Sequence, residues 1–241
     1  MSAAEVSDPV TLRERVDAAT GRMLATAAAL TDEQARASSP LPGWTRGHVL
    51  THIARNADGL RNLLVWAHTG VVTPQYRDAQ ARNDEIEAGS GRAARELAAD
   101  AAESAARFAA QAGLLTGAGW QVLVRGLNGP EHPAWVVLRR RLGEVEFHHV
   151  DLDAGYLPAD WPDWFVAEQL ESTAARFAED GDAPAVLLTD DRTGRSYRTG
   201  PHPRVTVTGP GCELLAWLSG RSRGTGLAVS PAGPPPQLPP W

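Results

Sequence analysis

The stretch Leu41-Pro42-Gly43-Trp44-Thr45-Arg46-Gly47-His48-Val49-Leu50-Thr51-His52 marks where a long helix begins. Pro42 and Gly43 belong to a turn, and Thr45 is a hydroxyl residue placed to cap the free N–H groups of a first helical turn. Val49, Ile53, Leu60 and Leu64 then recur as an apolar stripe, and Gly70 stands at the expected end, where a left-handed residue closes a helix at low cost. His48 and His52 lie four residues apart, so both project from one face of this helix.

Working outward, Leu12, Val16, Ala19, Met23, Ala27 and Leu30 repeat at a spacing near 3.6 and predict a helix over 11–30, weakened but not broken by Gly21. A Pro-containing connector, 38–43, joins it to the helix of His52. Beyond Pro74, residues 79–87 read as a short helical piece interrupted by Gly89-Ser90-Gly91, and the Ala-rich segment 92–115 is strongly helical by propensity. Glycines dominate 116–132 around a short run, 121–124, that suits an extended strand. A further helix is expected from about Pro133 to Asp153, with Leu138, Leu142, Val145, His149 and Leu152 in one narrow arc. Four helices of this length with modest connectors predict a bundle whose site lies in the core between facing helices.

After Gly155 the texture changes. Pro158, Trp161, Pro162 and Trp164 mark a boundary; a helix over 165–179, three short strands (185–189, 196–199, 204–208) and a helix over 211–219 follow. The stretch from Pro231 to Trp241 is too rich in proline for regular structure and is expected to run extended over the surface. The fold class is therefore α+β, mainly α: a helical bundle over 1–155, then a smaller α+β domain with a Pro-rich tail over 156–241.

With 43% hydrophobic residues and 22% charged, the 241-residue chain has enough apolar material to fold without staples. A net charge of −6 disfavours nucleic-acid binding, which needs a basic footprint. The one basic run, Arg139-Arg140-Arg141, reads as a solvated helix face. The N-terminus lacks the cationic start and apolar core of a signal peptide, and no apolar run is long enough for a bilayer, so a cytoplasmic protein without membrane partners, acting as a monomer, is expected. No lysine occurs anywhere, which excludes Schiff-base catalysis and a P-loop lysine. The single cysteine, Cys212, excludes internal disulfides and multi-cysteine zinc sites. It falls at the start of the last predicted helix and reads as a packing residue.

Seven histidines remain: 48, 52, 68, 132, 148, 149 and 202. Glu144 and His148 are one turn apart on the fourth long helix, so with a histidine from the second they form a His₂-carboxylate set that suits zinc with one open position. Spacing does not choose among the possibilities. Glu146 and His149 are a competing pair, His149 lies inside the apolar arc, and His48 and His52 are equivalent by pattern. His68, His132 and His202 fall in or near loops and are expected to be solvated.

The segment 41–52 resembles the GWT-x₃-[LV]-x₂-H entry to the second helix of the DinB-like metalloenzyme superfamily, and within it the chain is most similar to the mycothiol-dependent maleylpyruvate isomerases. Similar segments are Ala81-Arg82-Asn83-Asp84-Glu85-Ile86, the Glu144-x₃-His148 pair, Gly220-Arg221 and the Pro-rich ending before Trp241, at similar spacing over almost the whole chain. The resemblance implies a DinB-like four-helix bundle followed by a sterol-carrier-protein-like domain. It assigns a divalent metal, zinc first, to His52, Glu144 and His148, and mycothiol as the thiol cofactor. By this assignment His48 is a neighbour of the site and His149 a packing or orienting residue.

The implied reaction turns maleylpyruvate into fumarylpyruvate, as in gentisate-type aromatic catabolism. A thiolate adds to the cis double bond, the ketone takes the charge as an enolate, the bond rotates, and the thiolate leaves. An external thiol activated by the metal fits a chain whose own cysteine is badly placed. The substrate is a small dicarboxylate, and without lysine its clamps must be arginines, whose fork suits carboxylates. Arg82 and Arg221, each in a matching motif, are assigned to catalysis and to cofactor binding. Two other readings are a mycothiol S-transferase that detoxifies electrophiles at the same metal site, and a noncatalytic ligand-binding or regulatory bundle protein.

Overall fold

The computed structural model describes residues 8–180 and 183–239. The chain divides into two compact units, Met1–Gly155 and Tyr156–Trp241.

The first unit is built on α1 (Pro9–Ala29), α3 (Arg46–Thr69), α5 (Ala94–Leu114) and α6 (Val136–Asp151), with shorter helices α2 (Asp32–Arg36) and α4 (Ala79–Ser90) beside them. The helix that opens the sequence reading is the central one. α3 packs against α4, α5 and α6, and accordingly buries residues around most of its circumference. Both expected ends hold: Thr45 Oγ1 accepts from the His48 N–H, and Gly70 closes the helix at φ 73°. α1 buries Leu12, Val16, Ala19, Met23 and Ala27 against α5 and α6, as its periodicity requires. A two-stranded ribbon, β1 (Leu123–Arg125) with β2 (Glu131–Pro133), leads into α6.

Three local readings change. α4 does not stop before Gly89 but runs to Ser90, and it lies close enough to α3 that glycine is needed at both contact points. A Cβ on Gly89 would stand 2.5 Å from Thr51 Cγ2, and one on Gly47 would stand 2.1 Å from the Ser90 carbonyl oxygen. His132 is buried in β2 rather than solvated, its Nδ1–H donating to the Pro133 carbonyl. Arg141 is not on a solvated face: it is 1% exposed and donates to the Ile53 carbonyl and Asn56 Oδ1, both at 2.9 Å. Burial pushes its pKa down to about 10.

Where α3 begins, α6 ends. Arg46 Nε donates to the Leu152 carbonyl at 2.5 Å and its Nη2 to the carbonyl and carboxylate of Asp153, while Ser39 Oγ donates to the Asp151 carbonyl. The Asp151 carbonyl at the end of α6, and those of Leu152 and Asp153 just past it, are thus held by side chains from the entry to α3.

The second unit has α7 (Asp163–Glu179), a four-stranded sheet and α8 (Gly211–Leu218). The sheet order is β4 (Ser196–Arg198), β3 (Val186–Asp190), β5 (Val205–Gly209), β6 (Ala228–Ser230), with β3 and β5 parallel and the outer pairs antiparallel. α7 and α8 pack on one another, and α8 lies against β3 and β5. The strand β6 is too short and too weakly alternating for the sequence to announce it. Residues 234–239 form no regular structure, in line with their proline content; Pro240 and Trp241 lie outside the described residues. No helix among the described residues is long and apolar enough to cross a membrane.

Candidate metal centre

α3 and α6 bring His52, Glu144 and His148 together, with one ligand atom from each lying within 4.8 Å of the others. Glu144 Oε2 stands 2.9 Å from His52 Nε2 and 3.4 Å from His148 Nε2. Bonds of about 2.0–2.2 Å to a tetrahedral zinc place neighbouring donors roughly 3.3–3.5 Å apart, so two imidazole nitrogens and one carboxylate oxygen in this arrangement suit such an ion. His52 is buried, whereas the Glu144 side chain is 33% exposed, so the trio opens to solvent on the Glu144 side.

The charges around the trio are arranged unevenly. Burial and the neighbouring His148 lower the His52 pKa to about 4, which makes His52 neutral. Burial works against the His148 charge as well, but the carboxylates of Asp151 and Glu144 outweigh it and hold its pKa above the ordinary value. Burial would raise Glu144, yet hydrogen bonds from His148 and His52 bring it well below the usual carboxylate range. His148 also sits in the last turn of α6, the end of a helix dipole that favours positive charge.

Asp151, one turn on from His148, places Oδ2 at 2.8 Å from His148 Nδ1. A carboxylate beside the outer nitrogen is the usual support for a ligating histidine. The acidic residue three positions after a candidate histidine was the sequence signal that could have found Asp151. Trp44 lies over the site, its ring centroid 5.5 Å from that of His52 and 6.5 Å from that of His148. Arg82 Nη2 is 3.0 Å from His52 Nδ1, and its guanidinium lies 6.0 Å from the Tyr76 ring centroid. Tyr76 reaches this position because Gly59 on α3 has no side chain: a Cβ there would meet the Tyr76 ring at 2.8 Å. No motif announces Tyr76, which comes from the loop before α4.

The other histidines have different employment. His48 is the third residue of α3; its Nδ1 accepts from the Thr45 N–H at 3.1 Å, completing a capping box, and its Nε2 meets Glu87 at 3.2 Å. The competing pair faces the other way: Glu146 is bound by Arg22 at 2.6 Å and His149 Nε2 by Thr26 Oγ1 at 2.8 Å, both on α1. His68 and His202 are exposed.

Arg221 lies in the second unit, just past α8. Gly220 at φ 74° donates to the Trp217 carbonyl and the Arg221 N–H to that of Ala216, a left-handed helix ending that fixes where the Arg221 side chain starts. Arg221 Nη1 donates to the Ser219 carbonyl at 2.7 Å.

Two family models match the chain: one described as the mycothiol maleylpyruvate isomerase N-terminal domain over residues 16–153, and its C-terminal counterpart over 160–240. The chain belongs to the mycothiol maleylpyruvate isomerase family. It is similar to a crystal structure of the mycothiol-dependent maleylpyruvate isomerase, at TM-score 0.94 and 27% identity over 100% of both chains. The crystal structure of a histidine-to-alanine mutant of that isomerase is similar at TM-score 0.93, again with 27% identity over 100% of both chains. No curated protein sequence matches the chain. The likeness bears out the α+β class, since the family's isomerase has the same mainly helical fold with a small sheet domain.

Cys212 on α8 is half-buried, and burial together with the adjacent Glu213 pushes its thiol up. A thiol so placed is a poor nucleophile at neutral pH. Cys212→Ala should therefore keep parental activity, and the parent thiol should react with iodoacetamide more slowly than free cysteine. An inactive but folded Cys212→Ala protein would return the cysteine to the chemistry.

Proposed function

We infer that this chain is a mycothiol-dependent maleylpyruvate isomerase, converting maleylpyruvate to fumarylpyruvate. The observation that carries the reading is the full-length likeness to that isomerase, at TM-score 0.94 with both chains covered, in a chain whose α3 and α6 assemble a His₂-carboxylate trio.

His52, Glu144 and His148 are the residues proposed to hold a divalent ion, with Glu144 on the open side. An ion there would supply the Lewis acidity that keeps the mycothiol sulfur deprotonated near neutral pH. Asp151, 2.8 Å from His148 Nδ1, steadies that ring from its outer side. Trp44 covers the two histidine rings and limits the approach of water from that side. Arg82 supplies a cation beside His52 for one substrate carboxylate, and Arg221 is proposed as the second clamp on the strength of the Gly220-Arg221 motif. A monomer suffices for the metal centre, because one chain provides all three ligands.

The reading is tested by following maleylpyruvate absorbance with the metal-replete protein, with and without mycothiol, and after chelation. Turnover requiring both is expected. Thiol transfer to a neutral electrophile without maleylpyruvate turnover would favour an S-transferase instead. Arg221→Ala should fold and bind metal as the parent does, yet lose about ten- to a hundred-fold in kcat/KM, the effect of removing a charged hydrogen bond of about 1.5–3 kcal/mol. Parental kinetics in that variant would remove Arg221 from the site.

A further inference from the structure

Of the three arginines in the run 139–141, Arg140 is the one whose charge has no settled partner. It lies one turn before Glu144 on α6, so the two side chains leave the same face of the helix. Its guanidinium reaches the loop between β1 and β2. A Cβ on Gly126 would stand 2.7 Å from Arg140 Nη1, and one on Gly129 would stand 3.6 Å from Nη2. Those two glycines let the cation lie against loop backbone. The loop is tied in turn to the neighbourhood of the trio: the Leu127 N–H donates to Gln75 Oε1 at 3.0 Å, and Gln75 adjoins Tyr76.

Other arginines of this unit are committed. Arg22, Arg46, Arg55, Arg92 and Arg107 each hold a carboxylate at 2.5–3.0 Å. Arg140 makes no hydrogen bond or ion pair with any described residue. Burial lowers its pKa, and the carboxylate that works the other way is Glu144, the residue proposed to face an ion. His132 on β2 offers no counter-charge, because burial, with the Arg140 charge behind it, lowers its pKa and keeps it neutral. A guanidinium carries five N–H donors in a fork that meets both oxygens of a carboxylate at once. Here that fork has no protein acceptor among the described residues, on the helix face that also carries the 33% exposed Glu144 side chain.

We propose that Arg140 is a substrate-binding residue, whose fork receives a carboxylate of the dicarboxylate substrate on the Glu144 side of the centre. The glycine loop gives the cation a place beside the site without supplying an acceptor that would compete for it. A carboxylate has about four acceptor positions, so this grip adds to the clamps proposed for Arg82 and Arg221 and replaces neither. The inference rests on the reading of the trio as the place where a dianionic substrate is bound.

In the zinc-loaded protein with mycothiol, Arg140→Met should raise KM for maleylpyruvate about ten- to a hundred-fold, the size of one lost charged hydrogen bond. Zinc content and KM for mycothiol should stay parental. Arg140→Lys, which keeps the charge but not the fork, should fall between parent and Arg140→Met. Gly126→Ala leaves the arginine in place and pushes its Nη1 aside, so it should raise the same KM by a smaller factor, and it carries the test if Arg140→Met folds poorly. Binding is also read without turnover. Phenylglyoxal modification of Arg140 in the parent, mapped by mass spectrometry, should be slowed by maleate, used as a dicarboxylate probe, and not by chloride at equal ionic strength. A parental KM for maleylpyruvate in both Arg140→Met and Gly126→Ala overturns the proposal. So does a rise confined to mycothiol, or a KM that climbs only in step with lost zinc. Maleate protection of Arg140 in a parent that does not isomerise maleylpyruvate keeps the dicarboxylate site and overturns the assigned reaction, whereas turnover by the parent without protection overturns Arg140 alone.

Discussion

A His52→Ala variant should hold no stoichiometric metal and should turn maleylpyruvate over no faster than mycothiol does unaided. His52 is the one proposed ligand on α3; Glu144 and His148 both come from α6. Two ligands one turn apart on a single helix leave an open arc, and without the third donor the ion loses the contact that spans the two helices. Weakening an outer partner of a metal ligand costs about 10–100-fold in affinity, so removing a ligand should cost at least about 100-fold. The fold should survive, because the buried ring is neutral, Glu144 keeps His148 beside it and Arg82 keeps Asn83. Metal content after gel filtration, circular dichroism and the maleylpyruvate assay together check this. A variant with near-parental turnover would sink the metal site.

The second large effect concerns the helix pair that carries the site. Changing glycine to alanine inside a helix normally stabilises a protein, by about 0.5–1 kcal/mol. Gly21 on α1 is exposed and a Cβ there would meet nothing within 4 Å, so Gly21→Ala should show that ordinary gain. Gly47→Ala should reverse it. The new methyl would stand 2.1 Å from the Ser90 carbonyl oxygen and 3.4 Å from that of Ala35, both backbone atoms that cannot rotate away. Overpacking of this kind costs about 1–3 kcal/mol or more, and α4 must move off α3 to relieve it. At 2–4 °C per kcal/mol for a domain of this size, Tm should drop by about 2–12 °C in Gly47→Ala and rise slightly in Gly21→Ala. Because Gly47 precedes His52 by little more than one turn, zinc affinity should fall with it. A Gly47→Ala protein as stable as the parent would mean that α4 does not pack as described.

How far the sequence could be read depends on how many neighbours each helix has. α1 packs on one side, and its repeat named the buried residues in advance. α3 announced its limits through Thr45 and Gly70, because caps are local chemistry. α6 was harder. It has one face toward α1, carrying Glu146 and His149, and another toward α3, carrying Arg141, Glu144 and His148. A single apolar arc cannot describe a helix with two contact faces, so spacing proposed both His/Glu pairs and ranked neither; family resemblance made the choice. The same geometry hid Arg141, whose position in an arginine run suggested solvent while its own side chain points at Ile53 and Asn56. Gly89 misled for a related reason. Within α4 it permits contact with Thr51 rather than ending the helix, and the sequence does not distinguish a glycine that stops a helix from one that lets a neighbour approach.

The Arg46 clamp has a consequence for motion. The last turn of a helix is ordinarily the first part to open, and His148 belongs to that turn of α6. Here the carbonyls just past α6 are tied to the first residue of α3, so neither end can fray without breaking hydrogen bonds to the other. Opening at this end becomes a joint event of two helices. In hydrogen-exchange terms, the amides from His148 to Asp153 should open with those of the first α3 turns as one unit, and well below the rate of an unanchored terminus. The proposed ligand set, partly exposed at Glu144, can thereby keep the residence time of a core element.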